Sequence, residues 1–150
     1  MKSIFDEASR RDLVARIGRL SAGSRPQWGQ FSAGQMLRHL AGPMKGAMGE
    51  MAVKDKEGTA LLRTWLGRWF AIYSPIPWPK GLPTAPEFIP AADTDFDSAR
   101  AELMDVVERF GGRGRTLSLK PHPAFGAISH DDWGCLQWRH VDHHLRQFGV

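Results

Sequence analysis

The sequence predicts an all-α fold, and three observations carry that reading. Apolar residues recur at three- and four-residue steps in successive segments. Two segments open with a complete N-terminal capping signature, Ser32 with Gln35 and Ser129 with Asp132. Strand signals are sparse: Thr116 to Leu119 alternates, but nothing obvious pairs with it. The expected architecture has four amphipathic helices, with an extra helical stretch and a proline-rich insertion between the second and third.

The first helix spans about Ser3 to Leu20, with Phe5, Leu13, Val14, Ile17 and Leu20 on one face; Ser-Ala-Gly-Ser at 21–24 and Pro26 end it. The second begins after Ser32, where Phe31 and Met36 flank the cap as a hydrophobic staple. Met36, Leu40, Met44, Ala47 and Met51 continue its face, and Pro43 is expected to kink it by removing an amide donor. A further helical stretch from Thr59 to Tyr73 carries Leu62, Trp65, Leu66, Trp69 and Phe70. It runs into 74–95, where six of the ten prolines fall. That segment reads as a stiff strap over one end of the helices or as a lid over a substrate. The next helix covers about Asp97 to Phe110, with Gly111 at its C-cap. The last runs from the Ser129 cap, with Ile128 and Trp133 as staple, to Phe148, and Gly149 stops it.

Composition bounds the class. The chain has 150 residues, 42% of them hydrophobic and 24% charged, which fits one ordinary globular domain over residues 1–150 and excludes disordered, collagenous and coiled-coil classes. Lys and Arg exceed Asp and Glu by four. The surplus is scattered over Arg10, Arg11, Arg16, Arg19, Arg25 and Arg38 without a dense stripe or a named motif, so no nucleic-acid partner is expected. Met1 to Leu20 mixes Asp6, Glu7 and Asp12 with four arginines, unlike a secretory signal, and no run approaches the ~18 apolar residues of a membrane span. With a single cysteine, Cys135, the expected location is the cytoplasm.

The chemistry concentrates in Trp-Arg-His-Val-Asp-His-His-Leu at 138–145. His140 and His144 are four apart, so on a helix they differ by about 40° and one turn, and both rings can reach one ion. Both fall in the apolar sector with Trp133 and Leu136, whereas His143 lies at its boundary. A third inward candidate is His39, beside Met36 and Leu40 on the second helix. Three histidines from two helices would leave room for water or substrate on a divalent ion, as an open catalytic site does. Imidazole suits Zn, Ni or Fe without choosing among them. The competing reading is that these histidines only hydrogen-bond inside the core.

Glu50 shares the wheel sector of His39 but lies about 16 Å further along, outside ligand reach, and is an acid–base candidate only if Pro43 redirects the chain. His122, ahead of Pro123 in the loop entering the last helix, is either an acid–base group or a loop-holding one. His130 is expected to be exposed, Asp142 to lie on the surface, and Cys135 to face away from the ion. Trp65 and Trp69 read as core or dimer packing or as a ligand surface.

Residues 27–40 (Gln-Trp-Gly-Gln-Phe-Ser-Ala-Gly-Gln-Met-Leu-Arg-His-Leu), 122–134 (His-Pro-Ala-Phe-Gly-Ala-Ile-Ser-His-Asp-Asp-Trp-Gly) and 140–149 (His-Val-Asp-His-His-Leu-Arg-Gln-Phe-Gly) resemble the DinB/YfiT-like superfamily, most of all its DUF1569 branch. The likeness extends from about Leu13 to the C-terminus. It implies a four-helix bundle with a divalent metal at one end, held by one histidine of the second helix and an HxxxH pair of the last: His39, His140 and His144. The resemblance also implies a homodimer, which the aromatic 65–78 segment could support. It further implies metal activation of a low-molecular-weight thiol for transfer or isomerisation, or of water for hydrolysis, on a small-molecule substrate. Ergothioneine-synthase domains of the superfamily carry Glu two residues past HxxxH, and Arg146 stands there instead. The alternative from another class is a non-enzymatic bundle that binds a small ligand or a protein partner.

Overall fold

A computed structural model describes residues 1–54 and 60–150. Its helices are α1 (Glu7–Ile17), α2 (Ala33–Ala47), α3 (Ala60–Arg63), α4 (Trp65–Ile72), α5 (Phe96–Arg113) and α6 (His130–Gln147), with 3₁₀ turns at Pro86–Phe88 and Gly114–Thr116. Among the described residues there is no strand; one isolated bridge joins His122 to Gly126. No described helix is long and apolar enough to cross a membrane.

Local grammar fixes most boundaries. Ser32 accepts from the Gln35 amide while Gln35 reaches back to the Ser32 amide, and Ser129 and Asp132 do the same at the start of α6. Helix α1 starts later than its apolar spacing implies, because Asp6 caps it at the Ser9 amide, 2.8 Å away. The preceding residues turn back onto α6, where the Ile4 amide donates to the Gly134 carbonyl at 3.0 Å. Helix α2 runs through Pro43 and ends at Ala47, so residues 48–51 leave it in a turn with Gly49 at φ +78°.

Two helix boundaries differ from expectation. The stretch expected as one helix from Thr59 to Tyr73 is two pieces in its described part, and Thr59 itself lies outside the described residues. The Thr64 hydroxyl accepts from the Gly67 amide at 3.1 Å, restarting the helix. Helix α5 passes through Gly111, where a Cβ would stand 2.7 Å from the Ile4 carbonyl oxygen; that glycine permits close packing rather than a stop. The lone alternation at Thr116 to Leu119 forms no strand, in line with the all-helical expectation: the chain leaves a 3₁₀ turn, and the amide of Lys120 then donates to the Ala47 carbonyl at 2.8 Å.

Helix α2 packs most extensively on α5; α1 packs on α5 and α6, and α6 also receives α2 and α4. Leu13 and Ile17, Met36, Leu40 and Met44, Leu103, Val106 and Phe110, and Val141 and Leu145 meet in one buried core. Each such side chain contributes about 1.5–3 kcal/mol of burial. A smaller cluster joins Ile72 of α4 to Phe125, Cys135 and Leu136. That cluster includes Cys135, which is buried. Asp142, expected at the surface, is also buried: Arg16 of α1 stands 2.8 Å from one of its oxygens and Arg146 2.9 Å from the other.

Candidate metal centre

The apolar faces of α2 and α6 carry His39 and His140 with His144, and packing those faces together brings the three rings into contact. Each of the three ring pairs has its centroids 4.9–5.0 Å apart. One nitrogen from each ring lies within 4.8 Å of the other two. Among the described residues this is the one group of three or more potential ligands with that spacing, and it could hold a metal ion.

Hydrogen bonds on the far side of two rings decide which nitrogen faces inward. His39 Nδ1 lies 2.9 Å from the carbonyl oxygen of Phe88, which can only accept, so Nδ1 carries the hydrogen and Nε2 keeps its lone pair. The amide nitrogen of Gln147 donates to the Trp28 carbonyl, which orients Gln147 so that its Oε1 accepts from His144 Nδ1 at 2.7 Å. His144 therefore also presents a bare Nε2. Histidines that ligate metals characteristically have the second ring nitrogen tied in this way. His39 Nε2 and His140 Nε2 are 3.1 Å apart. Two nitrogens on a tetrahedral zinc with bonds near 2.05 Å stand about 3.3 Å apart, so the spacing fits an ion of that size.

The electrostatics keep the rings neutral. Burial, foremost, draws His140 well below the ordinary histidine value, and the neighbouring His144, His39, His143 and His122 add to it. Burial lowers His39 against the opposing pull of the Phe88 carbonyl, and it lowers His144 to about 3. Neutral imidazole is the metal-binding form. One turn before His140, Gln137 is 1% exposed and its Oε1 has no partner among the described residues, an orphaned acceptor in the same part of α6.

The 74–95 segment lies over the site. The Trp78 ring packs 6.0 Å from His140 and 5.8 Å from His143 and is anchored by its indole nitrogen to the Ala71 carbonyl at 2.8 Å. The Phe88 ring lies against Gly42 of α2, where a Cβ would come within 2.8 Å of it. That bare position lets the strap sit close enough for its carbonyl to reach His39. Phe88, Gln147, Trp78 and Gly42 are not among the site residues that the sequence predicts. Gln147 carried a usable signal, three residues after His144 on one helix, whereas a main-chain carbonyl carries none.

The other candidates are not part of the triad, although His122 and His143 lie near it. Glu50 is exposed beyond the end of α2 and grips Arg109 of α5 with both oxygens, one of them at 3.2 Å. His122 Nδ1 accepts from the Ala124 and Phe125 amides at 3.1 and 3.3 Å, and its ring packs 5.0 Å from that of Trp133, so it holds its loop. His130, expected to be exposed, is half-buried with Nε2 2.8 Å from the Leu117 carbonyl. His143 lies at the rim against Trp28 and Trp78. Trp65 and Trp69 are 77% and 47% exposed, outside the core.

A family model spanning residues 5–149, almost the whole chain, matches the sequence. The chain belongs to the DUF1569 family. That family is described as proteins of unknown function. No curated protein and no solved structure matches the chain.

Proposed function

We propose that this is a cytoplasmic DinB-like metalloprotein that holds one divalent ion through His39, His140 and His144 and uses it on a small-molecule substrate. The observation that carries the reading is the convergence of three neutral imidazoles from two helices, two of them with the inward nitrogen selected by a fixed acceptor. A bound zinc, nickel or iron ion supplies Lewis acidity, drawing down the pKa of a thiol or of water for transfer or hydrolysis. The chain's own groups do the rest: Phe88 and Gln147 orient the ligands, and Trp78 shields His140 from solvent. In the same reading α1, α2, α5 and α6 are the DinB-like bundle, and residues 48–95 are its insertion.

The test is metal content of the untagged protein. About one equivalent of a divalent ion is expected, with its loss in the His140→Ala/His144→Ala double variant. Stoichiometric metal retained by that variant overturns the ligand assignment. Absence of metal from a protein that binds none on titration leaves the non-enzymatic binding module as the reading.

The partner we propose is a second copy of the chain, docked on α3–α4. Leu61, Trp65, Leu66, Trp69 and Phe70 are 47–77% exposed there. Together they present roughly 600 Å² of apolar surface, at the upper end for the largest patch on a monomer and close to the ~800 Å² per partner of a standard interface.

A further inference from the structure

Beside the triad lies a groove of about 490 Å³, within the range of small-molecule sites. Three tryptophans line it: Trp28 from the turn before α2, Trp78 from the strap and Trp138 from α6. Each has a cation over its ring. Lys80 Nζ is 4.4 Å from the centroid of Trp28, Arg139 Cζ 5.5 Å from Trp78, and Lys2 Nζ 5.0 Å from Trp138. Such pairs occur about once per 70–80 residues, so about two would be expected in the whole chain, and here three line one groove.

The charge is one-sided. Lys2, Lys80, Arg139 and Arg146 line the groove against a single carboxylate, Asp142, which is already held by Arg16 and Arg146. Arg139 spends its two terminal nitrogens on the Ser74 and Ile76 carbonyls, fixing the strap, whereas Lys2 and Lys80 rest on tryptophan rings with no carboxylate partner among the described residues. The indole nitrogen of Trp138 is buried without an acceptor among the described residues. The groove also abuts the triad: His143, one of its walls, lies 5.2 Å ring to ring from His144, and Trp78 forms another wall against His140.

Flat aromatic walls favour a planar ring, and an unbalanced cation pair favours an anion. We infer that the groove binds a planar aromatic carboxylate of one or two rings, stacked on the tryptophans with its charge toward Lys2 and Lys80. The claim that this ligand is also the substrate rests on the metal-centre reading above; the binding itself does not.

The test is calorimetric titration of 1-naphthoate and of its neutral amide, with metal content measured on the same samples. The acid is expected to bind at least tenfold more tightly than the amide. Lys2→Glu/Lys80→Glu is expected to weaken the acid at least tenfold while leaving metal content and the thermal melt unchanged. Equal affinity for acid and amide, or insensitivity to the lysine changes, overturns the inference. Persistence of naphthoate binding in the His140→Ala/His144→Ala variant is expected; loss there with the fold intact would assign the carboxylate to the ion and overturn the groove. Metal present without naphthoate binding defeats the groove alone. Naphthoate binding to a protein that takes up no metal defeats the metal centre alone.

Discussion

Gln147 Oε1 lies 2.7 Å from Nδ1 of His144, and this contact decides which nitrogen of that ring faces the triad. Replacing Gln147 with Leu removes both the acceptor and the link to Trp28. Removal of such an orienting partner characteristically lowers metal affinity 10–100-fold. Competition with a chromophoric chelator measures this, and an affinity within twofold of the parent would show that the ring needs no such support.

Nε2 of His39 and Nε2 of His140 stand 3.1 Å apart, a hydrogen-bond separation that a zinc ion could take over with little movement of either ring. Zinc at 100 times its dissociation constant should therefore stabilise the folded state by about 2.7 kcal/mol. For a chain of this length that corresponds to a rise in Tm of roughly 5–10 °C. Thermal melts with and without zinc measure the shift, and the His140→Ala/His144→Ala variant should show none of it.

Gly42→Ala would put a methyl 2.8 Å from the Phe88 ring and push the strap off α2. Overpacking of this kind costs about 1–3 kcal/mol. Because the Phe88 carbonyl orients His39, metal affinity should fall as well. Phe88→Leu in the Gly42→Ala background should recover part of both losses. A Gly42→Ala protein with unchanged melt and affinity would show that the strap does not depend on this contact.

The triad also fixes a pH response. His39, His140 and His144 all titrate below the ordinary value of 6.5, His144 at about 3. Below 6.5 the unfolded chain takes up protons at these rings while the folded one does not. Stability of the metal-free protein is thus fully present above pH 6.5 and falls as the pH drops from there toward 3. Urea midpoints at about pH 7.5 and about pH 5 measure the fall. His144→Gln should shrink it, and equal midpoints in the parent would contradict neutral buried rings.

Trp65 is 77% exposed on an apolar face. Trp65→Ser with Trp69→Ser should convert the proposed homodimer to a monomer without lowering metal content. Sedimentation equilibrium distinguishes the two, and a parent that sediments at 16.8 kDa at micromolar concentration removes the dimer.

What could be read from the sequence was what depends on near neighbours in the chain. The caps at Ser32 and Ser129 involve residues three apart, and the placement of His140 and His144 follows from one helix turn. His39 needed only its own helix face. The surface placement of Asp142 was misjudged and the burial of Cys135 unforeseen, because a helical wheel gives a direction and not what stands there. Arg16 of α1 and the Ile72–Phe125 cluster cover positions that a lone α6 would leave in water. The break at Thr64 was hidden by a continuous apolar pattern, and that pattern faces outward. The strap's part in the site depends on a carbonyl 49 residues from the ring it holds.

That carbonyl has an evolutionary consequence. A main-chain oxygen survives every substitution, so position 88 can vary in side chain without losing the group that selects the His39 tautomer. Selection on that function would instead fall on Gly42, which touches neither ring nor ion and sets only how near the strap can lie. A saturation library scored for metal retention should therefore find its sharp intolerance at a glycine, while the residue making the bond accepts any side chain that leaves the strap in place.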